Sequence, residues 1–409
     1  MSRRSVVITG VGLATPLGTA WARFGELLYG GAAGFETLTT RHSTTLPLAR
    51  VAGDGDAAPS RSEASLADRG GLLALAAGTR ALQHAGLNPA DTALRGMALY
   101  LGSGAGPSQA VDDAYTALHQ TGRLSGLTLL RCLPNGATAG LAIRLGLQGG
   151  SHTQASACAS STLAIGEAVR AIRHGYLDLA LAGGAEAPLG DGNLKAWDML
   201  RVLAPPGSDP SLACRPFDRR RAGLVLGEGA VLFVLESAQH ARSRGARALA
   251  EILGFGTRCD ARHWTEPDVQ GQVDAMLATL HDAGLKPEDI AAINAHGTAT
   301  VVGDAVEAAS VSRVFGRGAG APPISSTKAT HGHLLGASGA IELAAAIHTL
   351  QRRLVPPTRN LHQAEPDCGL NLVAHEARPC RPGRAVLSNS FAFGGINACL
   401  AVAQPGVHG

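Results

Sequence analysis

The chain has 409 residues, with 35 Lys plus Arg against 32 Asp plus Glu, and 45% of it is hydrophobic. That apolar share excludes wholesale disorder, and a formal charge of +3 with only 4% aromatic residues argues against a nucleic-acid binder. At roughly 150 residues per domain the length suits two or three domains, or one large duplicated unit.

The opening stretch, MSRRSVVITGVGLATPLG, puts two Arg before an apolar run. Gly10, Gly12 and Thr15 interrupt that run, which reads as a strand and turn rather than a signal peptide. No apolar run reaches about 18 residues, so no membrane span is expected. Further strands are predicted over 97–102, 151–155, 177–182, 230–235, 248–254, 290–295, 323–326, 385–388 and 398–403, after a first one over 5–9. Helices are predicted over 71–85, 160–174, 270–283, 304–315 and 335–352. The segment 32–67, rich in Ser, Thr and Gly, reads as loop. This alternation predicts an α/β fold with buried strands covered by helices. The pattern also repeats: in each half a β-run ends in a small-residue turn and a helix follows. The division falls near residue 245, giving halves 1–245 and 246–409.

Seven Cys stand at 132, 158, 214, 259, 368, 380 and 399, without a C-x-x-C pair. An odd, scattered set suits free thiols in a reducing cytoplasm, not a disulfide framework or a zinc site. Gly10-Val11-Gly12 follows a strand, but Thr15 stands at the third glycine of a dinucleotide fingerprint. The glycines at 102, 104 and 106 run into Pro107, where no helix start is expected. Neither supports NAD binding, and no P-loop, H-E-x-x-H or G-x-S-x-G is present.

Four stretches carry chemistry. In SACASSTLAIGEAVRAIRHG, Cys158 sits where a strand gives way to a helix. Unpaired N–H groups and the helix dipole there favour thiolate over thiol, lowering the Cys pKa below ~8.5. The same N–H groups suit an oxyanion. Alone, the segment equally fits a buried thiol filling a turn. In NAHGTATVVGDAVEA, His296 ends a strand before Gly297, and Asp304 and Glu307 share one helix face. A hydrogen-bonded core histidine and a dipole-favoured acidic pair explain this stretch too. In SSTKATHGHLLGASGAIELAAAIHTL, Lys328, His331 and His333 precede a helix containing Glu342. An ammonium and two imidazoles there suit an anion or a developing enolate. In SNSFAFGGINACL, Phe391 and Phe393 flank Ala392 ahead of two glycines, as core aromatics or as a hinged gate over an acyl pocket.

Taken in order, VVITGVGLATPLG, ACASS, AGGAEA, RPFDRRRAGLVLGEGA, NAHGTAT, the K-x-x-x-G-H of Lys328 to His333 and SNSFAFGG resemble the elongating β-ketoacyl-ACP synthases. These are the Cys-His-His condensing enzymes of the thiolase superfamily, and the resemblance spans essentially the whole chain. It implies a thiolase-like, five-layered αβαβα fold, a dimer and decarboxylative Claisen condensation. Cys158 would take the acyl group, with an oxyanion hole from the N–H groups of Cys158 and Phe393. His296 and His333 would donate to the malonyl thioester carbonyl, Lys328 would polarise the pair, and Glu342 would anchor Lys328. Thr298 and Thr300 would hold the 4'-phosphopantetheine arm of acyl carrier protein. No metal or other cofactor is implied.

The resemblance also marks departures. Ala105 stands where a bulky aliphatic closes the acyl pocket in fatty-acid elongases, and Trp197 where a smaller aromatic is usual. Ala392, Ile396, His331, Ala329 and Leu224 also depart from the pattern. These point to a specialised-metabolite ketosynthase for long, rigid or unsaturated chains, such as a polyene-forming type. Arg123, Arg201, Arg61 and Arg69 are the expected docking charges for an acidic carrier. Two alternatives stay open: one subunit of a heterodimer with a chain-length-factor-like partner, and a thiolase-fold acyltransferase forming an ester or amide without decarboxylation.

Overall fold

The computed structural model describes residues 3–30, 34–41, 44–53, 55, 59–88 and 92–406. Ten strands form one sheet: β1 Val6–Ala14, β2 Ala98–Gly102, β3 Ser151–Gln154, β4 Leu179–Glu186, β5 Gly229–Ser237, β6 Ala250–Cys259, β7 Ile290–Asn294, β8 Ile324–Ser325, β9 Ala385–Ala392 and β10 Ile396–Ala403. Their spatial order is β8-β7-β9-β10-β6-β1-β5-β4-β2-β3. Five strands of the C-terminal half therefore continue five of the N-terminal half. The seam is the antiparallel pairing of Val6–Ile8 in β1 with Ile252–Ala250 in β6.

Five helices position the site: α1 Arg69–His84, α2 Ser160–Arg173, α3 Val269–Ala283, α4 Val301–Phe315 and α5 Ser338–Arg352. α1 covers one face of the N-terminal strands and α3 with α4 one face of the C-terminal strands. α2 and α5 pack together in the middle layer, between the two sets of strands. Every residue of α5 from Ser338 to Leu350 is buried, as expected of a helix with sheet on both sides. Its small residues, Ala340, Ala344, Ala345 and Ala346, let the layers close. Two polar contacts lock the middle layer: Ala340 N–H donates to Ser161 Oγ at 3.0 Å, and the Thr162 and Ser390 hydroxyls meet at 2.7 Å.

The ten predicted strands and five predicted helices are all present, within a few residues at their ends. Two expectations fail. The segment 32–67 is not simply loop: Phe35–Thr39 and Thr45–Ala49 form a hairpin, and Arg61–Leu66 is a short helix with a Ser60–Glu63 capping box. Short strands with Pro47 and mixed polarity left little period to read. A helix does open after the glycines at 102–106, running Ser108–Thr121 with Pro107 as its N-cap. Its preceding turn is nonetheless no phosphate cradle, because Glu186 occupies it. The N–H groups of Gly104 (2.5 Å), Ala105 (3.2 Å) and Gly336 (2.9 Å) and the Ser103 hydroxyl (3.0 Å) all donate to that carboxylate.

Gly10 and Gly12 serve packing. A Cβ on Gly12 would fall 1.8 Å from the Ala77 carbonyl oxygen, and one on Gly10 2.3 Å from that of Ala81. Strand β1 thus lies directly against the backbone of α1. Gly12→Ala is expected to destabilise the protein by about 1–3 kcal/mol through overpacking, read as a lower urea midpoint with fluorescence or circular dichroism.

Candidate active site

Cys158 lies in a single 3-10 turn, Ala157–Ala159, between β3 and α2. Ala157 before it has φ 47°, a conformation costly for any residue with a Cβ. The sharp turn lifts the thiol toward the second half of the molecule. There the N-terminal region of α5 brings His333, and the end of β7 brings His296. Cys158 Sγ and one ring nitrogen of each histidine lie within 4.8 Å of one another. His333 Nε2 is 3.0 Å from Sγ. The two imidazoles meet edge to face, with centroids 5.5 Å apart. A cation among these three groups would face the ammonium of Lys328, which opposes metal binding there.

Lys328 is fully buried, so its donors need acceptors. Nζ donates to the His296 carbonyl at 2.6 Å, pairs with the Glu342 carboxylate and stands 3.3 Å from His296 Nδ1. An ammonium has donors only. His296 Nδ1 must therefore accept, and its remaining proton sits on Nε2, facing the cavity. Glu307 fixes the same turn from below, accepting from the N–H groups of His296 (2.8 Å) and Gly297 (2.7 Å). Asp304 does likewise for Ala299 (3.1 Å) and Phe217 (2.7 Å). The acidic pair thus holds the His296 turn. Burial pushes Asp304 up to about 7 and raises Glu307. Burial likewise pushes Glu342 up to about 7, against the pull of Lys328.

The thiol departs from the sequence expectation. Burial is the largest influence on Cys158 and pushes it up to about 12; Lys328 and a hydrogen bond from the Phe393 backbone N–H oppose this without overcoming it. The 3-10 turn contributes donors, yet the surrounding apolar wall dominates. Burial thus favours the neutral thiol. Both histidines are also neutral, held well below 6.5 by burial and then by Lys328.

These groups open into a cavity of about 360 Å³, lined among others by Trp197, Thr298, Thr300, Phe391 and Phe393. The hydroxyls of Thr298 and Thr300 meet at 3.0 Å. On its other side Cys158 packs into a cluster containing Leu46, Leu48, Leu194, Leu224, Leu226 and Leu335, against which Ala105 and Trp197 lie. Trp197 stacks on Phe393, with centroids 6.0 Å apart. Phe393, Gly394 and Gly395 form the hairpin turn between β9 and β10, with φ 81° and 69° at the glycines. Ala392 ends β9 with ordinary strand geometry. The Gly394 N–H donates to the Trp264 carbonyl at 2.7 Å, tying this turn to the cavity's outer wall.

Of the expected docking residues, Arg123 and Arg201 are exposed, and Arg201 lines the cavity. Arg69 is half-buried and turns inward onto buried Glu228, at 2.7 and 2.8 Å, and the Val51 carbonyl. The side chain of Arg61 lies outside the described residues. Sequence reasoning gave no part to Ser338, Glu186 or Trp264. Ser338 falls inside the helix predicted over 335–352, and Glu186 is visible in the sequence only as the acid of AGGAEA.

Residues 3–241 match the Beta-ketoacyl synthase, N-terminal domain, and residues 249–362 the corresponding C-terminal domain. The chain belongs to the β-ketoacyl synthase family. It is 40% identical to Nodulation protein E of Rhizobium sp. (strain N33), over 98% of this chain and 99% of that one. It is 35% identical to 3-oxoacyl-[acyl-carrier-protein] synthase 2 of Vibrio cholerae, over 98% and 99%. The solved structure "The ishigamide ketosynthase/chain length factor" superposes with a TM-score of 0.91 at 30% identity, covering 99% of this ketosynthase-family chain and 100% of that one.

With its thiol held up to about 12 by burial, Cys158 is expected to resist alkylation near neutrality. The iodoacetamide rate, followed by mass spectrometry, should keep rising about tenfold per pH unit through alkaline pH, since only the thiolate reacts. A plateau near ~8.5 would mark an unperturbed cysteine.

Proposed function

We propose that Cys158, His296 and His333 carry the two half-reactions of a β-ketoacyl synthase of polyketide or fatty-acid elongation. The observation that carries this is the convergence of one sulfur and two imidazole nitrogens within 4.8 Å, from opposite halves of the fold. Cys158 attacks the acyl thioester on the carrier's phosphopantetheine arm. The resulting oxyanion lies against the backbone N–H groups of Cys158 and Phe393. The acyl chain then extends into the leucine cluster, past Ala105 and Trp197. A malonyl thioester follows, its arm along Thr298 and Thr300. N–H donors from His296 and His333 meet its carbonyl as carbon dioxide leaves, stabilising the enolate. One such donor is typically worth about 3–4 kcal/mol. The enolate carbon attacks the acyl-Cys158 carbonyl, and the Cys158 sulfur departs. No step calls for a metal or organic cofactor.

The neutral histidines favour this reading over simple acyl transfer. A transferase without decarboxylation needs the thiol but not a second imidazole locked as a donor. The carrier-protein wording in the relatives' names supports acyl carrier protein as substrate, with Arg123 and Arg201 at hand for its acidic surface. None of the described helices is long and apolar enough to cross a membrane, and free cysteines suit a cytoplasmic protein.

The small side chain of Ala105 beside the leucine cluster favours long or rigid acyl chains, as in a specialised-metabolite pathway. With malonyl-carrier protein and a panel of acyl-carrier proteins, long or unsaturated donors should react faster than saturated medium chains. Ala105→Ile should reverse that order; an unchanged order would remove the pocket reading while leaving condensation intact.

The edge strand β3 has no neighbour on its outer side among the described residues, and apolar side chains stand exposed on helices of the same half, including Tyr115, Leu129 and Ile143. Such a surface suits a second ketosynthase-fold chain, a copy or a chain-length-factor-like partner. Sedimentation of the purified chain should show a dimer that Leu129→Asp dissociates. A monomer with wild-type sequence would favour the heterodimer.

A further inference from the structure

One buried polar side chain touches the reacting groups without a part in the reading above. Ser338, the first residue of α5, is fully buried, with its Oγ 2.7 Å from His333 Nδ1. The other nitrogen of that ring, Nε2, faces Cys158 Sγ at 3.0 Å. No other hydrogen bond of the Ser338 hydroxyl appears among the described residues. The two imidazoles therefore have chemically different backing. His296 Nδ1 faces an ammonium that only donates, so its tautomer is locked. His333 Nδ1 faces a hydroxyl, which donates or accepts with equal ease.

We propose that Ser338 is a positioning residue whose hydroxyl lets His333 serve both half-reactions, accepting the Cys158 proton during loading and donating from Nε2 during condensation. The proposal rests on the reading of this chain as a condensing enzyme. During loading, His333 carries its proton on Nδ1 and gives that hydrogen bond to Ser338 Oγ. The thiol proton passes to Nε2 as the Cys158 sulfur bonds the acyl carbon. The carrier thioester bond breaks, its electron pair stays on the phosphopantetheine sulfur, and that sulfur takes the proton from Nε2. During condensation, the acylated sulfur has no proton to give. His333 then carries its proton on Nε2 toward the malonyl carbonyl, and the Ser338 hydroxyl turns to donate to Nδ1. Water admitted while one carrier arm replaces another resets the ring, adding a proton at one nitrogen and removing one from the other. A carboxylate at 338 would hold only the first form and an ammonium only the second. An apolar residue would leave Nδ1 bare in a dry core.

The test compares the full-length wild type with Ser338→Ala and Ser338→Thr. Loading is read as acyl-Cys158 by mass spectrometry in single-turnover mixing, and decarboxylation as carbon dioxide release from malonyl-carrier protein. Ser338→Ala should slow both steps about tenfold or more, with KM for each carrier substrate unchanged and the variant still folded by circular dichroism at the assay temperature. Ser338→Thr, which keeps the hydroxyl, should restore both rates to within about threefold. Unchanged rates in Ser338→Ala, or slowing of one step alone, would overturn the dual role. So would a Thr variant as slow as Ala. A wild type inert in both assays would remove the functional reading itself, whereas an active wild type with an unaffected Ala variant removes only this proposal.

Discussion

The burial of Lys328 is the constraint on which the site depends. An ammonium without solvent must find every acceptor within the fold. Here those acceptors are Glu342 on α5 and the carbonyl and ring nitrogen of His296 at the end of β7. The charge thereby binds a middle-layer helix to a strand end and fixes a histidine tautomer in one arrangement. Glu307 and Asp304 complete the same logic from α4, since Glu307 and one Asp304 oxygen accept backbone N–H groups of the His296 turn and the other Asp304 oxygen ties that turn to Phe217. Four buried charged groups that look expensive separately form one scaffold for a single N–H.

Burial also decides how the nucleophile works. Helix-dipole reasoning favours a thiolate at Cys158, but burial costs the charged form more than Lys328 and the Phe393 N–H return. A thiol that stays neutral at rest is protected from adventitious chemistry, and it requires a proton acceptor at the moment of attack. His333 Nε2, at 3.0 Å, is the nearest ring nitrogen described. Neutral imidazoles suit this, because an imidazolium has no lone pair to accept with. The same apolar wall that raises the thiol lines the space proposed above for the acyl chain.

The two sets of strands and the helices between them place these groups. α2 delivers the cysteine turn and α5 the histidine turn, and the two helices lie side by side between the strand sets. Glu186 ties the turn after β2 to the segment following His333, taking N–H groups from 104 and 105 and from 336. The cavity is thus not an indentation in one half but the gap between two matching helix starts. The Phe391 to Gly395 hairpin closes it from above, with Trp197 stacked beneath Phe393.

The sequence by itself determined the α/β alternation and singled out Cys158, His296, Lys328 and His333, which the fold brings together. These are written in local order: apolar runs of strand length, helical periods, and rare residue types in small-residue turns. It also carried family membership, because Cys158, His296, Lys328, His333 and the gate phenylalanines stand in ordered motifs along the whole chain. Only the tertiary structure decided what depends on neighbours distant in the chain. Desolvation raised the Cys158 thiol, and the inward turn of Arg69 spent its guanidinium on Glu228. The hairpin within 32–67 and the occupied turn before Ser108 were decided the same way, by pairing with strands and a carboxylate far away in sequence. Hydrogen-bond partners and burial are properties of packed surfaces, and no local window of residues contains them.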